Sequence, residues 1–260
     1  MIPRQRPAHL APRVRAARVP VSARVDPAER RDPALLLQEL IQPPDRLDEI
    51  AGLRVAARSR SAESAALDLG GDWYVAARLP DGDAFLALGD AVGHGLGAAE
   101  AMVRLRFAMA AFAAEGHRPA TVLSRLNSLM CWADTGVTAS AAAARYSPHD
   151  GVLTWANAGH LPFLLAGRGG VRQVPGPDGV LLGVTPSARY AQRTLRLEQG
   201  DMMLMYTDGL IPHGQSLDDG VSALLEQLAG SPRAPQAVLD RLDYGASHDD
   251  ASALAAQRIW

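Results

Sequence analysis

The stretch Gly89-Asp90-Ala91-Val92-Gly93-His94-Gly95-Leu96-Gly97 marks a strand-to-helix junction. Ahead of it, Ala84-Phe85-Leu86-Ala87-Leu88 is an unbroken apolar run of strand length, and behind it lies an alanine-rich segment of helical period. An aspartate among glycines at such a junction has two readings. In an ordinary turn, Asp bonds its own backbone and Gly supplies positive φ. Alternatively, a rigid scaffold holds the carboxylate out for chemistry. The choice depends on whether other aspartates converge on Asp90.

The flanking chain supplies candidates. Extended patterns run from Leu53 to Ala57 and from Trp73 to Leu79, and Pro80-Asp81-Gly82-Asp83 turns the chain into the strand ending near Asp90. Asp72 therefore opens one strand and Asp90 closes the next, and a hairpin between them carries both carboxylates to one end of a sheet. Helices are predicted over 96–114 and 120–132, the second with Val122, Leu123, Leu126, Leu129 and Met130 on one face. Strands return at Ala139–Tyr146 and Val152–Ala156, joined by Pro148-His149-Asp150-Gly151, then at Leu161–Ala166, Leu195–Leu197 and Met202–Tyr206. The methionines of that last strand read as core filling. It ends at Thr207-Asp208-Gly209, a third aspartate at a strand end. Helices at 217–229 and 235–243 follow, and Asp249-Asp250 precedes a final strand from Ala251 to Ala256.

Residues 1–33, rich in Arg and Pro, read as a flexible arm. The short apolar-periodic run 34–41 reads as a docking helix stopped at Pro43-Pro44, and 34–260 as one domain. With 48% hydrophobic residues, such a domain has enough core to fold without a disulfide or structural metal. A formal charge of -2 argues against nucleic-acid binding. All 26 basic residues are arginine, which fits codon bias more than chemistry. Cys131, the single cysteine, lies between Met130 and Trp132 on what reads as a buried helix face. A reducing, cytoplasmic setting with no signal peptide and no membrane span is the expectation.

Asp72, Asp90, Asp208 and Asp249 thus each stand at the tip of a predicted strand. Two carboxylates about 4 Å apart repel by roughly 4 kcal/mol at an effective dielectric of 20, so a cluster needs cations or protons. Hard oxygen ligands without a His or Cys cluster favour magnesium or manganese over zinc. Spacing alone leaves this shared metal site and a set of unrelated turn formers both open.

Five segments then occur in a telling order: Gly70-Gly71-Asp72-Trp73-Tyr74, Gly89 to Gly95, Asn157-Ala158-Gly159-His160-Leu161-Pro162, Gly200-Asp201 leading to Tyr206-Thr207-Asp208-Gly209-Leu210, and Asp249-Asp250-Ala251-Ser252. From about residue 35 to 258 the chain resembles the SpoIIE-like branch of the metal-dependent serine/threonine phosphatases, the protein phosphatase 2C superfamily. The resemblance implies an α+β fold, a four-layer α-β-β-α sandwich of two antiparallel sheets flanked by helices, with two Mn2+ or Mg2+ ions at one end. It implies that Asp90 bridges the ions, that Asp72 holds the first, that Asp208 and Asp249 hold the second, and that Ala91 adds a main-chain carbonyl. The activity implied is two-metal hydrolysis of phosphoserine or phosphothreonine with no covalent intermediate.

The substrate implied is a STAS-type anti-anti-sigma protein in a bacterial partner-switching pathway. Helix 34–41 is read either as a contact for a regulatory partner or a second copy, or as packed against the sandwich. His94 and His160 are read as hydrogen-bonding turn residues, ahead of a role in positioning phosphate or protonating the leaving group. Val75, Ala91-Val92 and Pro212 depart from the common pattern without removing an implied ligand. Two alternatives stand beside this activity: a non-catalytic phosphoprotein-binding module on the same fold, and a hydrolase of small phosphoesters.

Overall fold

A computed structural model describes residues 46–61, 70–93, 95–133, 136–230, 234–245 and 249–260. The arm expected over 1–33, the helix expected over 34–41 and His94 lie outside the described residues. Two antiparallel sheets form the centre. The first contains β1 (Arg46–Ile50), β2 (Leu53–Arg60), β7 (Phe163–Gly167), β8 (Gly170–Val174), β10 (Met202–Tyr206) and β11 (Ala251–Arg258), in the order β1-β2-β11-β10-β7-β8. The second contains β3 (Asp72–Arg78), β4 (Ala84–Ala91), β5 (Ala139–Ser147), β6 (Val152–Ala158) and β9 (Gln192–Arg196), in that order. Helices α1 (Leu96–Ala114) and α2 (Pro119–Ala133) cover the outer face of the second sheet, and α3 (Leu217–Ala229) and α4 (Pro235–Leu239) cover the first. This is the four-layer α-β-β-α sandwich implied by the sequence.

Side-chain alternation along the strands sorts the apolar residues into three cores. On β4, Phe85 and Ala87 face α1 and α2, while Ala84, Leu86 and Leu88 face the other sheet. On β10, Met203 and Met205 point between the sheets, and Met202, Leu204 and Tyr206 point toward α3 and α4. Each fully buried Leu, Met or Phe contributes roughly 2 kcal/mol from surface removed from water. At one hairpin, Arg145 of β5 grips the β3–β4 turn, donating from Nε to Asp83 at 2.7 Å and from its other arm to Asp81.

Four details differ from the sequence reading. Strands β1 and β8 were not anticipated, because Arg46–Ile50 and the largely exposed Gly170–Val174 carry no apolar alternation, as befits sheet edges. One edge of the second sheet, β9, spans Gln192–Arg196 where Leu195–Leu197 was expected. Helix α4 stops at Leu239, short of residue 243. Trp132 does not share a buried face with Met130: Met130 is 4% exposed and Trp132 82%. Successive residues turn by about 100° on a helix, so neighbours two apart leave the same face. Among the described residues, no helix is long and apolar enough to cross a membrane.

Candidate functional site

The same alternation that builds the central core also aims the acidic residues. Asp72 has the parity of Tyr74 on β3 and Asp90 that of Leu86 and Leu88 on β4, so both carboxylates follow the row facing between the sheets. The two strands pair in register, with Asp72 directly opposite Asp90. The hairpin thus brings both to one end of the sandwich. Ser140 of β5 lies across from Asp90 in the next register. From the facing sheet, Thr207 and Ser252 continue the inward rows of Met203 and Met205 on β10 and of Leu254 and Ala256 on β11.

Asp208 stands just past β10, where a single 3-10 turn, Asp208–Leu210, takes over from the strand. Gly209 makes that turn possible: a Cβ there would lie 2.0 Å from the Asp250 carbonyl oxygen of the neighbouring chain segment. Asp250 accepts the Gly71 N–H at 2.7 Å, and a Cβ on Gly71 would come within 2.6 Å of the Ala91 carbonyl oxygen. Glycines beside the carboxylates therefore let two pairs of chain segments, Gly71 with Ala91 and Gly209 with Asp250, touch backbone to backbone.

The electrostatics match this crowding. Burial raises the Asp72 carboxyl well above the usual range, the nearby Asp90 charge adds to the rise, and the Thr207 and Ser252 hydroxyls partly offset it. Asp90 is pushed up to about 7, first by burial and then by the charges of Asp208, Asp249 and Asp250. Burial and Asp249 raise Asp208 in the same direction. The structure thus collects Asp72, Asp90, Asp208 and Asp249, with Asp250, into one mutually repelling field. Among the described residues, no three His, Cys, Asp or Glu side chains stand close enough together to hold an ion as they are placed.

The donor set fits hard cations nonetheless. One oxygen of Asp72, Oδ1, is buried without a hydrogen-bond partner, a costly state for a carboxylate that a cation relieves. Asp90 is held near the protonation balance at neutral pH, as expected where a positive charge belongs. All the side chains offered are carboxylates, the chemistry of magnesium or manganese ligation.

His160 occupies a braced turn. The Asn157 side chain spans it, donating to the His160 carbonyl at 2.7 Å and accepting the His160 N–H at 2.6 Å. The ring meets the Ser140 hydroxyl through Nδ1 at 2.7 Å, and burial drives the imidazole down to about 4, so it is neutral at physiological pH. A cleft of about 360 Å³ opens beside this turn, lined by Asn157, Gly159, His160, Pro162 and residues 175–179.

Sequence reasoning singled out none of Thr207, Ser140, Asn157 or Asp250 for a role. Inward parity at a strand end was an available signal for Thr207, Ser140 and Asp250.

With this geometry in hand, likeness to known proteins becomes informative. The chain is 29% identical to "Phosphoserine phosphatase RsbU" of Bacillus subtilis over 127 residues, 48% of this chain and 38% of that protein. It therefore spans little more than a third of that relative's length. Among solved structures, the RsbU and RsbW domains of Rv1364c from Mycobacterium tuberculosis superpose with a TM-score of 0.72 at 27% identity, covering 81% of this chain and 61% of that one. RsbX, solved in complex with magnesium, superposes with a TM-score of 0.65 at 19% identity over 82% of this chain and 98% of its own, a likeness of fold. The family model for Stage II sporulation protein E (SpoIIE) matches residues 80–259, well over half of the sequence, and the chain belongs to that family.

Proposed function

We propose that this chain is a divalent-metal-dependent protein phosphatase acting on phosphoserine or phosphothreonine. The observation that carries the proposal is the meeting of aspartates from separate strand ends at one mouth of the sandwich, with Asp72 and Asp90 in register and one Asp72 oxygen buried without a partner. Asp72 and Asp90 would hold one ion, Asp90, Asp208 and Asp249 a second, and the Ala91 carbonyl would complete the set. When bound, the ions supply acidity to an attacking water and offset charge on the phosphoryl oxygens.

The remaining roles belong to the chain itself. Asp90, raised to about 7 by burial and by the charges of Asp208, Asp249 and Asp250, would hold a cation in its ionised form. Paired strand ends present Asp72 and Asp90, and the segments beside β10 and β11 present Asp208 and Asp249; these carboxylates would draw closer for three of them to share an ion. His160, neutral and held by Ser140, braces the strand end opposite Asp90.

The substrate in this reading is a phosphorylated STAS-type anti-anti-sigma protein in a partner-switching pathway. The RsbU relative, a phosphoserine phosphatase, supports a phosphoserine substrate, and the pairing of RsbU with RsbW domains in the mycobacterial structure supports a partner-switching setting. The magnesium in RsbX supports the choice of cation. Control by a partner or a second copy through residues 34–41, in a cytoplasmic protein, completes the proposal.

The test is manganese-dependent release of phosphate from a phosphoserine protein. Turnover should be lost in Asp90→Asn and should far exceed turnover of an aryl phosphate. Binding of the phosphoprotein without phosphate release would establish the non-catalytic module instead, and a preference for the aryl phosphate would establish the small-ester hydrolase.

A further inference from the structure

Where Asp72 reaches the facing sheet, its contacts are more specific than a crowd of carboxylates requires. The Thr207 side chain is 1% exposed and lies on the inward row of β10. Its Oγ1 accepts the Ser252 N–H at 2.9 Å, and its own backbone N–H donates to the Ser252 carbonyl at 3.0 Å. These two bonds fix the residue against β11 and occupy one of the hydroxyl's acceptor positions. Its single proton remains to be given. Asp72 Oδ2 lies 2.8 Å away, whereas the competing Ser252 carbonyl is at 3.4 Å. The short contact takes the proton. The Ser252 hydroxyl, which also favours the ionised Asp72, is tied to Ser59 of β2 at 2.6 Å, so the support extends to a third strand of that sheet.

The two oxygens of Asp72 are therefore distinguished. Oδ2 is held from across the sandwich by a hydroxyl whose nearer acceptor it is, while Oδ1 is buried and unpartnered. Resting on the metal-centre reading above, we propose that Thr207 is a positioning residue for metal capture, whose hydroxyl pins Asp72 so that Oδ1 is the oxygen offered to a cation. It touches neither substrate nor ion. Supports of this kind, which orient a ligand through its other atom, typically change metal affinity 10–100-fold when removed.

Thr207→Val tests the idea, because it keeps the shape and removes only the hydroxyl, and Thr207→Ser restores the hydroxyl on a smaller side chain. Mn2+ binding is measured by titration calorimetry on the folded, substrate-free protein, with phosphopeptide turnover as a function of Mn2+ in parallel. We expect Thr207→Val to weaken Mn2+ binding about 10–100-fold. The half-activating Mn2+ concentration should rise by the same factor and kcat should recover at saturating metal. Thr207→Ser should return both values toward wild type.

Wild-type Mn2+ affinity in folded Thr207→Val, or failure of Thr207→Ser to restore a lost affinity, overturns the inference. In the first case Thr207 is merely a packing residue, and urea stability alone should fall. If Thr207→Val does not fold, Thr207→Ala takes its place in the same titration with the same expected loss. Absence of Mn2+ binding by the wild-type chain overturns the metal-centre reading and this inference with it, an outcome distinct from a failure confined to the variants.

Discussion

Replacing Asp90 by asparagine should stabilise the metal-free protein while abolishing its response to metal. Asparagine keeps the shape of the side chain and removes its charge. In the folded chain the Asp90 carboxyl is raised from 3.8 to about 7, by burial first and by Asp208, Asp249 and Asp250 after it. The sign follows from linkage: a carboxyl whose folded value is raised disfavours folding wherever it is ionised. Above about pH 7 the native state carries the full penalty, and below about pH 4 both states are protonated and the penalty vanishes. At about 1.4 kcal/mol per unit, the penalty is about 4 kcal/mol at pH 8 and falls to about 2 kcal/mol at pH 5. The carboxylates repel one another and titrate as a group, so the decline spreads over this range without a sharp step.

The assay is urea denaturation of wild type and Asp90→Asn in chelator at pH 8, 7, 6 and 5. The variant should be more stable at pH 8 and its advantage should shrink steadily on acidification. Added Mn2+ should reverse the order. At a free concentration 100 times its dissociation constant, an ion that binds only the native state stabilises by about 2.7 kcal/mol, and the variant, without the bridging carboxylate, should gain far less. A variant no more stable than wild type at pH 8 in chelator, or an advantage that does not shrink toward pH 5, would refute the electrostatic account of this site.

Other expectations follow from particular contacts. His160 is buried neutral with its imidazole lowered to about 4, so the stability it confers is present above pH 6.5 and is lost as pH falls toward 4, by about 3 kcal/mol. The wild-type minus His160→Gln difference in urea midpoint should trace that loss, and a flat difference would contradict it. Gly209→Ala places a methyl 2.0 Å from a backbone oxygen that cannot rotate away, and should cost about 3 kcal/mol in thermal or chemical denaturation. Asp250 accepts the Gly71 N–H, so Asp250→Asn, which keeps an acceptor, should exceed Asp250→Ala in stability by about 1–2 kcal/mol in chelator. Equal stabilities would show that this bond contributes little.

Much of the architecture was legible because its signals are local. The Pro80–Asp83 turn and the apolar run after it predicted the hairpin that sets Asp72 opposite Asp90. Helices α1 and α2 emerged with nearly their observed ends, since breakers flank apolar-periodic segments. The strands that escaped notice, β1 and β8, lie at sheet edges, and on β8 exposed residues replace the alternating pattern. Trp132 was misplaced because an aromatic was taken as buried without following the helical rotation from Met130. Strand-end position alone picks out Asp72, Asp90, Asp208 and Asp249, but only the ordered motifs favour a shared metal site over unrelated turns. Nothing in one-dimensional spacing states that the ends of β3, β4 and β10 and the start of β11 share a mouth.

The sequence also carries a rule of parity that runs beyond Asp72 and Asp90. Tyr74, Leu88, Ala142, Met205 and Leu254 face between the sheets, and one further step of two residues along each strand reaches Asp72, Asp90, Ser140, Thr207 and Ser252. The row that fills the core thus becomes polar at a single end of the sandwich, on strands from both sheets. Burial and acidity are set by the same alternation: the carboxylates are raised because they continue a core row, and they meet because the two sheets face each other along it. A slip of one residue in the pairing of β3 with β4 would turn the acidic pair outward and also send Tyr74 and Leu88 to the wrong core. The register that stabilises the sandwich is therefore the register that assembles the site, and selection for a packed core alone already holds Asp72 against Asp90.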